Sequence, residues 1–319
     1  MMREARRVRL LALSALLVGV LSGCEGQPEN TPTTAAVTAG PEAEIELGTA
    51  AIDLATNSGT YPDRNYVVEL ADERATQRCV RAAGLTWSGF VYQPPPGSDE
   101  DRALNIEGRR RDGYGLADAG RGSLGEPPGG SGGARLEEAL FGRSRKVAQL
   151  RVPGAGEVGY PVEGCTARAH AAVFGDVTTW ARVTFLPSGI NMMLAKKAAA
   201  DPRLQAPLRE WSRCMAEHGH QYNNPKEIRY QLISQKANRE REIAVAIQDA
   251  DCNRAAGLAR TELELRRAAA RALPADQRAE LAGLATALDE GVRRARAIVG
   301  DPQADPAPPL ADDRARSPR

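Results

Sequence analysis

Ser212-Arg213-Cys214-Met215-Ala216-Glu217-His218-Gly219 has a counterpart far upstream, Gln77-Arg78-Cys79-Val80-Arg81-Ala82-Ala83-Gly84. Both stretches put Arg before the cysteine, an apolar residue after it, and Gly five positions on. Both continue to an aromatic residue (Trp87, Tyr222) and then to proline (Pro94, Pro225). One device is used twice: a helix delivers a cysteine near its C-terminus, and glycine turns the chain left-handed out of the helix.

The other two cysteines of the body also share a context. Glu163-Gly164-Cys165 leads into Thr166-Ala167-Arg168-Ala169, and Asp249-Ala250-Asp251-Cys252 into Asn253-Arg254-Ala255-Ala256. Each is acid-flanked and belongs to an Ala-rich helical stretch. Four cysteines allow three pairings, and the sequence alone does not choose among them. Pairing the two contexts within each half gives Cys79–Cys165 and Cys214–Cys252, worth on the order of 4 kcal/mol each by chain entropy. The second bridge sets a geometric condition. If Lys226 to Ala256 were one helix antiparallel to its predecessor, Cys214 would face roughly Tyr230 and Cys252 would lie about 33 Å further along. A bridge requires Cα atoms within about 7 Å, so the spacing predicts a break within Ser234–Arg239.

Helical periodicity dominates the remainder. A helix is predicted over Asn65–Ala83, ended by Gly84, and a short one over Arg135–Arg145 carrying Leu136, Leu140 and Phe141. Cys165–Phe174 is a further short helix, closed by Gly175. Asp201–His218 is capped by Asp201, with Pro202 in its first turn and Leu204, Leu208, Trp211 and Met215 on one face. Ile228, Leu232, Ile243, Ile247 and Ala250 share a stripe. Thr261–Val299 reads as two helices parted at Pro274, with Leu281, Leu284, Leu288 and Val292 facing an intramolecular neighbour. Leu85–Tyr92 is expected to be extended, its Trp87, Phe90 and Tyr92 packing on the first helix in preference to lining a groove. The fold class is mainly α: a small helical domain stapled by two disulfides, with a long disordered tether, loop and tail.

Composition sets the segments around that domain. Aromatics are 4% of the 319 residues, while Gly and Pro number 31 and 21, which limits how much core the chain can bury. Residues 24–62 are expected to be a flexible tether, 63–300 the helical domain, 97–134 a disordered insertion, and 301–319 a disordered tail. Within the insertion, Arg109-Arg110-Arg111 is a solvated charge run screened by Glu107 and the acidic cluster at 99–101.

Met1–Cys24 carries Arg3, Arg6, Arg7 and Arg9, an apolar run from Val8 to Leu21, and Leu21-Ser22-Gly23-Cys24. The basic start, short apolar run and small residues at the cut are signal-peptide features. The closing Leu-Ser-Gly-Cys resembles the lipobox of bacterial lipoproteins. The resemblance implies cleavage after residue 23, a diacylglycerol thioether on Cys24 and acylation of the new N-terminus. It implies a membrane partner held through that lipid, on the extracytoplasmic face of the cell membrane. There, four remaining cysteines suit two disulfides. Cleavage removes four Arg and one Glu, taking 42 basic and 41 acidic residues to 38 and 40, a net −2. A near-neutral body gives no case for nucleic acid.

Trp211, Cys214, Met215, Gly219, Tyr222, Pro225, Ala250, Asp251, Cys252, Gly257 and Leu258 together resemble actinobacterial secreted proteins and lipoproteins with paired Cys-x4-Gly motifs. An Arg-rich, Lys-poor, Ala- and Gly-rich composition agrees with such a source. The pattern carries an architecture and no assigned activity.

No catalytic motif stands out. Gly-x-Ser-x-Gly is met only by the Gly-rich run Gly129-Gly130-Ser131-Gly132-Gly133 inside the insertion, which is no strand-to-helix nucleophile elbow, and Ser-x-x-Lys and His-Glu-x-x-His do not occur. Cys214, His218, His220 and Cys252 have metal-ligand chemistry, but a disulfide beside two solvent-facing histidines is the favoured reading, and no metal or cofactor is expected. His170 is expected on the surface of its helix. Asp249 and Asp251 are expected to be solvated or capping. Glu163 with Asp176 or Glu157 is the remaining conceivable acid–base pair. The sequence therefore favours a non-enzymatic envelope binding or accessory module, partnering a transporter, another envelope protein or peptidoglycan. The alternative is a wall-associated hydrolase with an unfamiliar site.

Overall fold

A computed structural model describes residues 46–87, 98–116 and 133–300; Cys24, the signal segment, Phe90, Tyr92 and the tail 301–319 lie outside the described residues. Among the described residues the chain is mainly helical, in the order α1 (Thr49–Thr56), α2 (Tyr61–Ala82), α3 (Asp99–Leu104), α4 (Ile106–Asp112), α5 (Ala134–Phe141), β1 (Val147–Val152), β2 (Gly156–Pro161), α6 (Gly164–Phe174), α7 (Val177–Ala199), α8 (Pro202–Glu217), α9 (Pro225–Ser234), α10 (Arg239–Ala256), α11 (Leu258–Arg271) and α12 (Ala275–Gly300). None of the described helices is long and apolar enough to cross a membrane.

Two cores are stacked along this order. The first joins α1, α2, α6, α7 and α12 through Leu54, Val68, Val173, Ile190, Leu281 and Leu288, all buried. The Leu281–Val292 stripe is turned inward as its spacing predicts. Alanines such as Ala55, Ala71, Ala270 and Ala295 fill the positions where helices cross. Small side chains let backbones approach closely, so a chain poor in aromatics can still fill its interior. The second core joins α8 to α11 around Trp211 and Met215, both fully buried, with Ile228, Val245 and Leu265. A small cluster of Val80, Leu136, Leu140 and Cys165 lies under the first disulfide, with Trp87 packed against it. The Trp87 indole donates to Glu73 at 3.0 Å.

Two segment boundaries need correction. The expected tether 24–62 is folded from residue 46 onward. α1 buries Ala51, Ile52, Leu54 and Ala55, and its polar residues are buried too. Asp53 takes Arg267 of α11 at 3.0 Å and the Ser58 hydroxyl at 3.3 Å, while Arg266 donates to the Thr56 carbonyl at 3.2 Å. A segment rich in Thr, Ser and Asp looks solvated in sequence; here those groups are satisfied by two arginines. The expected disordered insertion 97–134 is also partly folded. Ser98 and Asp101 form a capping box at the start of α3, and α4 packs on α10. Residues 117–132 lie outside the described residues.

One element has no counterpart in the sequence reading. β1 and β2 pair antiparallel, with Val147 opposite Pro161 and Val152 opposite Gly156. Ala148, Leu150 and Val152 alternate with polar or exposed residues along β1, a two-residue period over only six residues that the helical reading passed over.

The disulfides join Cys79 to Cys165 (Cα–Cα 5.5 Å) and Cys214 to Cys252 (5.6 Å). Gly84 and Gly219 both leave their helices at positive φ, 72° and 83°. The break that the second bridge demands lies at residues 235–238. Gln235 ends α9, Lys236 adopts φ 49°, and the Asn238 side chain caps α10 through the Arg241 amide at 3.0 Å. Two staples of this kind suit an oxidising compartment.

Replacing both members of either bridge by alanine is expected to lower the unfolding free energy by about 4 kcal/mol, somewhat more for the longer Cys79–Cys165 loop. Lys236→Gly is expected to raise it by about 1 kcal/mol, because glycine meets no penalty at positive φ. Urea titration under non-reducing conditions reads all three.

Candidate ligand-binding cleft

α10 is enclosed on two sides, by α8 and by α3–α4. Burial therefore extends around much of its circumference and includes Glu242, Asp249 and Asn253. These three stand seven and four residues apart, along one helical face. Ile243 and Ile247, expected at the core, are only half-buried.

The polar face of α10 holds the turn after α4. One Glu242 carboxylate oxygen accepts the amides of Tyr114 (2.7 Å) and Leu116 (2.8 Å). Gly113 makes this approach possible: its φ is 58°, and a Cβ there would sit 3.0 Å from the same oxygen. The turn places the Tyr114 hydroxyl on Asp249, donating to Oδ2 at 2.8 Å. The Trp211 indole donates to Oδ1 at 2.9 Å. The Arg109 guanidinium lies 4.4 Å from the Tyr114 ring centre and donates to the Gly113 carbonyl at 3.2 Å. Arg239 and Arg254 of α10 reach the carbonyls of Arg111 and Leu104, both at 2.8 Å.

Burial raises the Asp249 carboxyl above the ordinary aspartate range, and the bonds from Tyr114 and Trp211 and the charge of Arg109 oppose it. Tyr114 is also raised, by burial first and then by Asp249. Asp249 is thus neither solvated nor a cap, contrary to expectation. Asp251 does face solvent, 3.6 Å from Arg254.

Above this floor opens a cleft of about 760 Å³ between α4, α7, α9 and α11, in the size range of small-molecule sites. A larger cleft, about 1110 Å³, flanks the Cys79–Cys165 bridge. Its lining lacks a buried titratable side chain among the described residues. Its Arg143 is paired with Glu138 at 2.8 Å, and its Asp176 caps α7. The smaller cleft holds the convergent polar groups.

The other candidate residues separate. Cys214, His218 and Cys252 bring ligand atoms within 4.8 Å of one another. Both sulfurs are spent in the bridge, however, and metal binding needs thiolate. His220 turns away to Gln248 at 2.5 Å. His170 corrects its expected surface position. It is 7% exposed, stacked 3.5 Å from Trp180 and bonded to Asp72 at 2.7 Å. An amphipathic ring between α2 and α7 completes a core where an aliphatic side chain would leave Asp72 unpaired. Glu163 takes the Ser144 hydroxyl at 2.5 Å, Asp176 accepts Thr179 (which lowers its pKa), and Glu157 sits 3.5 Å from Arg151, so these acids form no working pair. The Arg triplet divides. Arg110 pairs with Glu107 at 2.6 Å as a solvated charge, whereas Arg109 is locked on Tyr114.

Compared with known proteins, the chain matches no family model, no curated protein and no solved structure. Function is therefore argued from the cleft and from the chain's own chemistry.

Asp249 binds its proton more tightly folded than unfolded, so its contribution to stability falls as pH rises above about 4. Asp249→Asn removes that titration. Its stability relative to the parent chain is expected to improve as pH rises above about 4 in urea titrations. A gap that stays constant with pH would mean that Asp249 is not raised.

Proposed function

We propose that this chain is a bacterial lipoprotein, processed at Cys24 and held by its lipid on the extracytoplasmic face of the cell membrane. There it acts as a non-enzymatic binding or accessory module for an envelope partner, a transporter component or the wall. The observation that carries the binding role is the preformed cleft over the Tyr114–Asp249–Trp211 floor. Tyr114, Asp249 and Trp211 already hold one another before any ligand arrives, and preorganisation lowers the cost of binding. The lipobox-like Leu21-Ser22-Gly23-Cys24 supports the anchor, and the two bridges support an oxidising location. Two or more acyl chains give stable membrane attachment.

One observation favours a second reading. Burial shifts a carboxyl at the bottom of a cleft in the direction a general acid needs, so Asp249 is the residue a wall hydrolase would use. Its two oxygens are both occupied by structural donors, which favours binding over catalysis.

Mass spectrometry of the membrane fraction is expected to find residues 1–23 removed and a diacylglycerol mass on Cys24; Cys24→Ala is expected to leave the membrane. An unprocessed chain in the cytosol would overturn the anchor. Incubated with purified peptidoglycan, the protein is expected to release no fragments. Release that Asp249→Asn abolishes would replace the binding module with the hydrolase.

A further inference from the structure

The cleft is more basic than the body around it. Arg109 and Arg111 enter from α4, and Lys226 and Arg229 from the first turns of α9. Its acids are largely committed. Arg111 donates to both Asp112 oxygens, at 3.0 and 2.7 Å, and Glu100 lies 3.8 Å from Arg260. Asp249 accepts from Tyr114 and Trp211; Glu262 is the remaining carboxylate. Lys226 and Arg229 are exposed and make no ion pair among the described residues. The Arg109 Nε is buried and has no hydrogen-bond partner among the described residues.

The same lining also has apolar members. Met192 is 49% exposed where it lines the cleft, an unusual position for a large apolar side chain, and Ala195, Leu258 and Ala259 line it too. Basic and apolar side chains in one cleft suit a molecule that is acidic at one end and carbon-rich at the other. Unpaired cations at the mouth of a low-dielectric cleft also raise the local concentration of anions.

We propose that this cleft binds a small organic anion, with a phosphate monoester or carboxylate head against Lys226, Arg229 and Arg109 and its carbon skeleton against Met192. The assignment rests on the binding-module reading of the same cleft and names its ligand class. Charge-assisted hydrogen bonds hold the head, and arginine offers the planar fork that carboxylate and phosphate accept.

The test uses full-length protein in detergent micelles, with calorimetry and thermal shift against glycerol 3-phosphate, citrate and inorganic phosphate. Glycerol and sucrose serve as neutral probes. Micelles carrying phosphatidylglycerol or phosphatidylcholine separate a lipid headgroup from a soluble ester. The expected result is binding of at least one anionic probe with a dissociation constant under about 1 mM, weakened by salt. The paired change Lys226→Ala with Arg229→Ala is expected to weaken it by on the order of tenfold or more. Both residues are exposed, so the fold survives their loss; Tyr230→Ala, on the same helix and outside the cleft, is expected to change nothing. Equal binding by the paired variant overturns the anion assignment. Saturable binding of a neutral probe alone, lost on Met192→Asp, overturns the assignment and leaves the binding module standing. Binding of none of these probes overturns both.

Discussion

A straight helix from Pro225 to Ala256 would carry Cys252 roughly 33 Å past the level of Cys214. The turn at residues 235–238 cancels that distance and returns α10 along α8, and the bridge closes at a Cα–Cα separation of 5.6 Å. The same reversal lays Asp249 against the Trp211 indole and turns Glu242, Asp249 and Asn253 toward α3–α4. Without it the second core would lose Val245 and Cys252, and the cleft would have no floor. Chain direction over four residues therefore governs both a staple and a site.

The first core meets its constraint by a different route. α1 is only eight residues long, too short to be stable alone. Arg266 and Arg267, adjacent on α11, hold its C-terminal end through Thr56, Ser58 and Asp53. The cost of burying Asp53 is offset because its oxygens are bonded and its charge is paired.

Periodic apolar helices were legible in the sequence: the Asp201–His218 face with its buried Leu204, Trp211 and Met215, the α12 stripe, and the stop signals at Gly84, Gly175 and Gly219. The two cysteine contexts and the steric demand for a break between α9 and α10 were legible as well. What escaped was polar burial. Glu242, Asp249, Asp53 and His170 are residue types that the sequence assigns to solvent, and each is buried because a partner more than ten residues away satisfies it. Tyr114, Trp211 and Asp249 are separated by up to 135 positions, and no spacing rule links them. The one available signal was weak: Tyr114 is an aromatic residue among glycines and charges, in a segment whose composition reads as loop.

Arg266 connects the two regions. Its guanidinium donates to the Thr56 carbonyl at the end of α1 and to the Asn191 amide oxygen at 3.0 Å, and both Arg266 and Asn191 line the cleft. One wall of the cleft is thus built from the side chain that holds the most N-terminal of the described helices. Arg266 links the end of α1 to Asn191, the neighbour of Met192 in the cleft lining. Two arginines and a buried aspartate fix the end of α1, and the same Arg266 side chain contributes to the cleft lining. Walls that keep their spacing before a ligand arrives lower the cost of binding one.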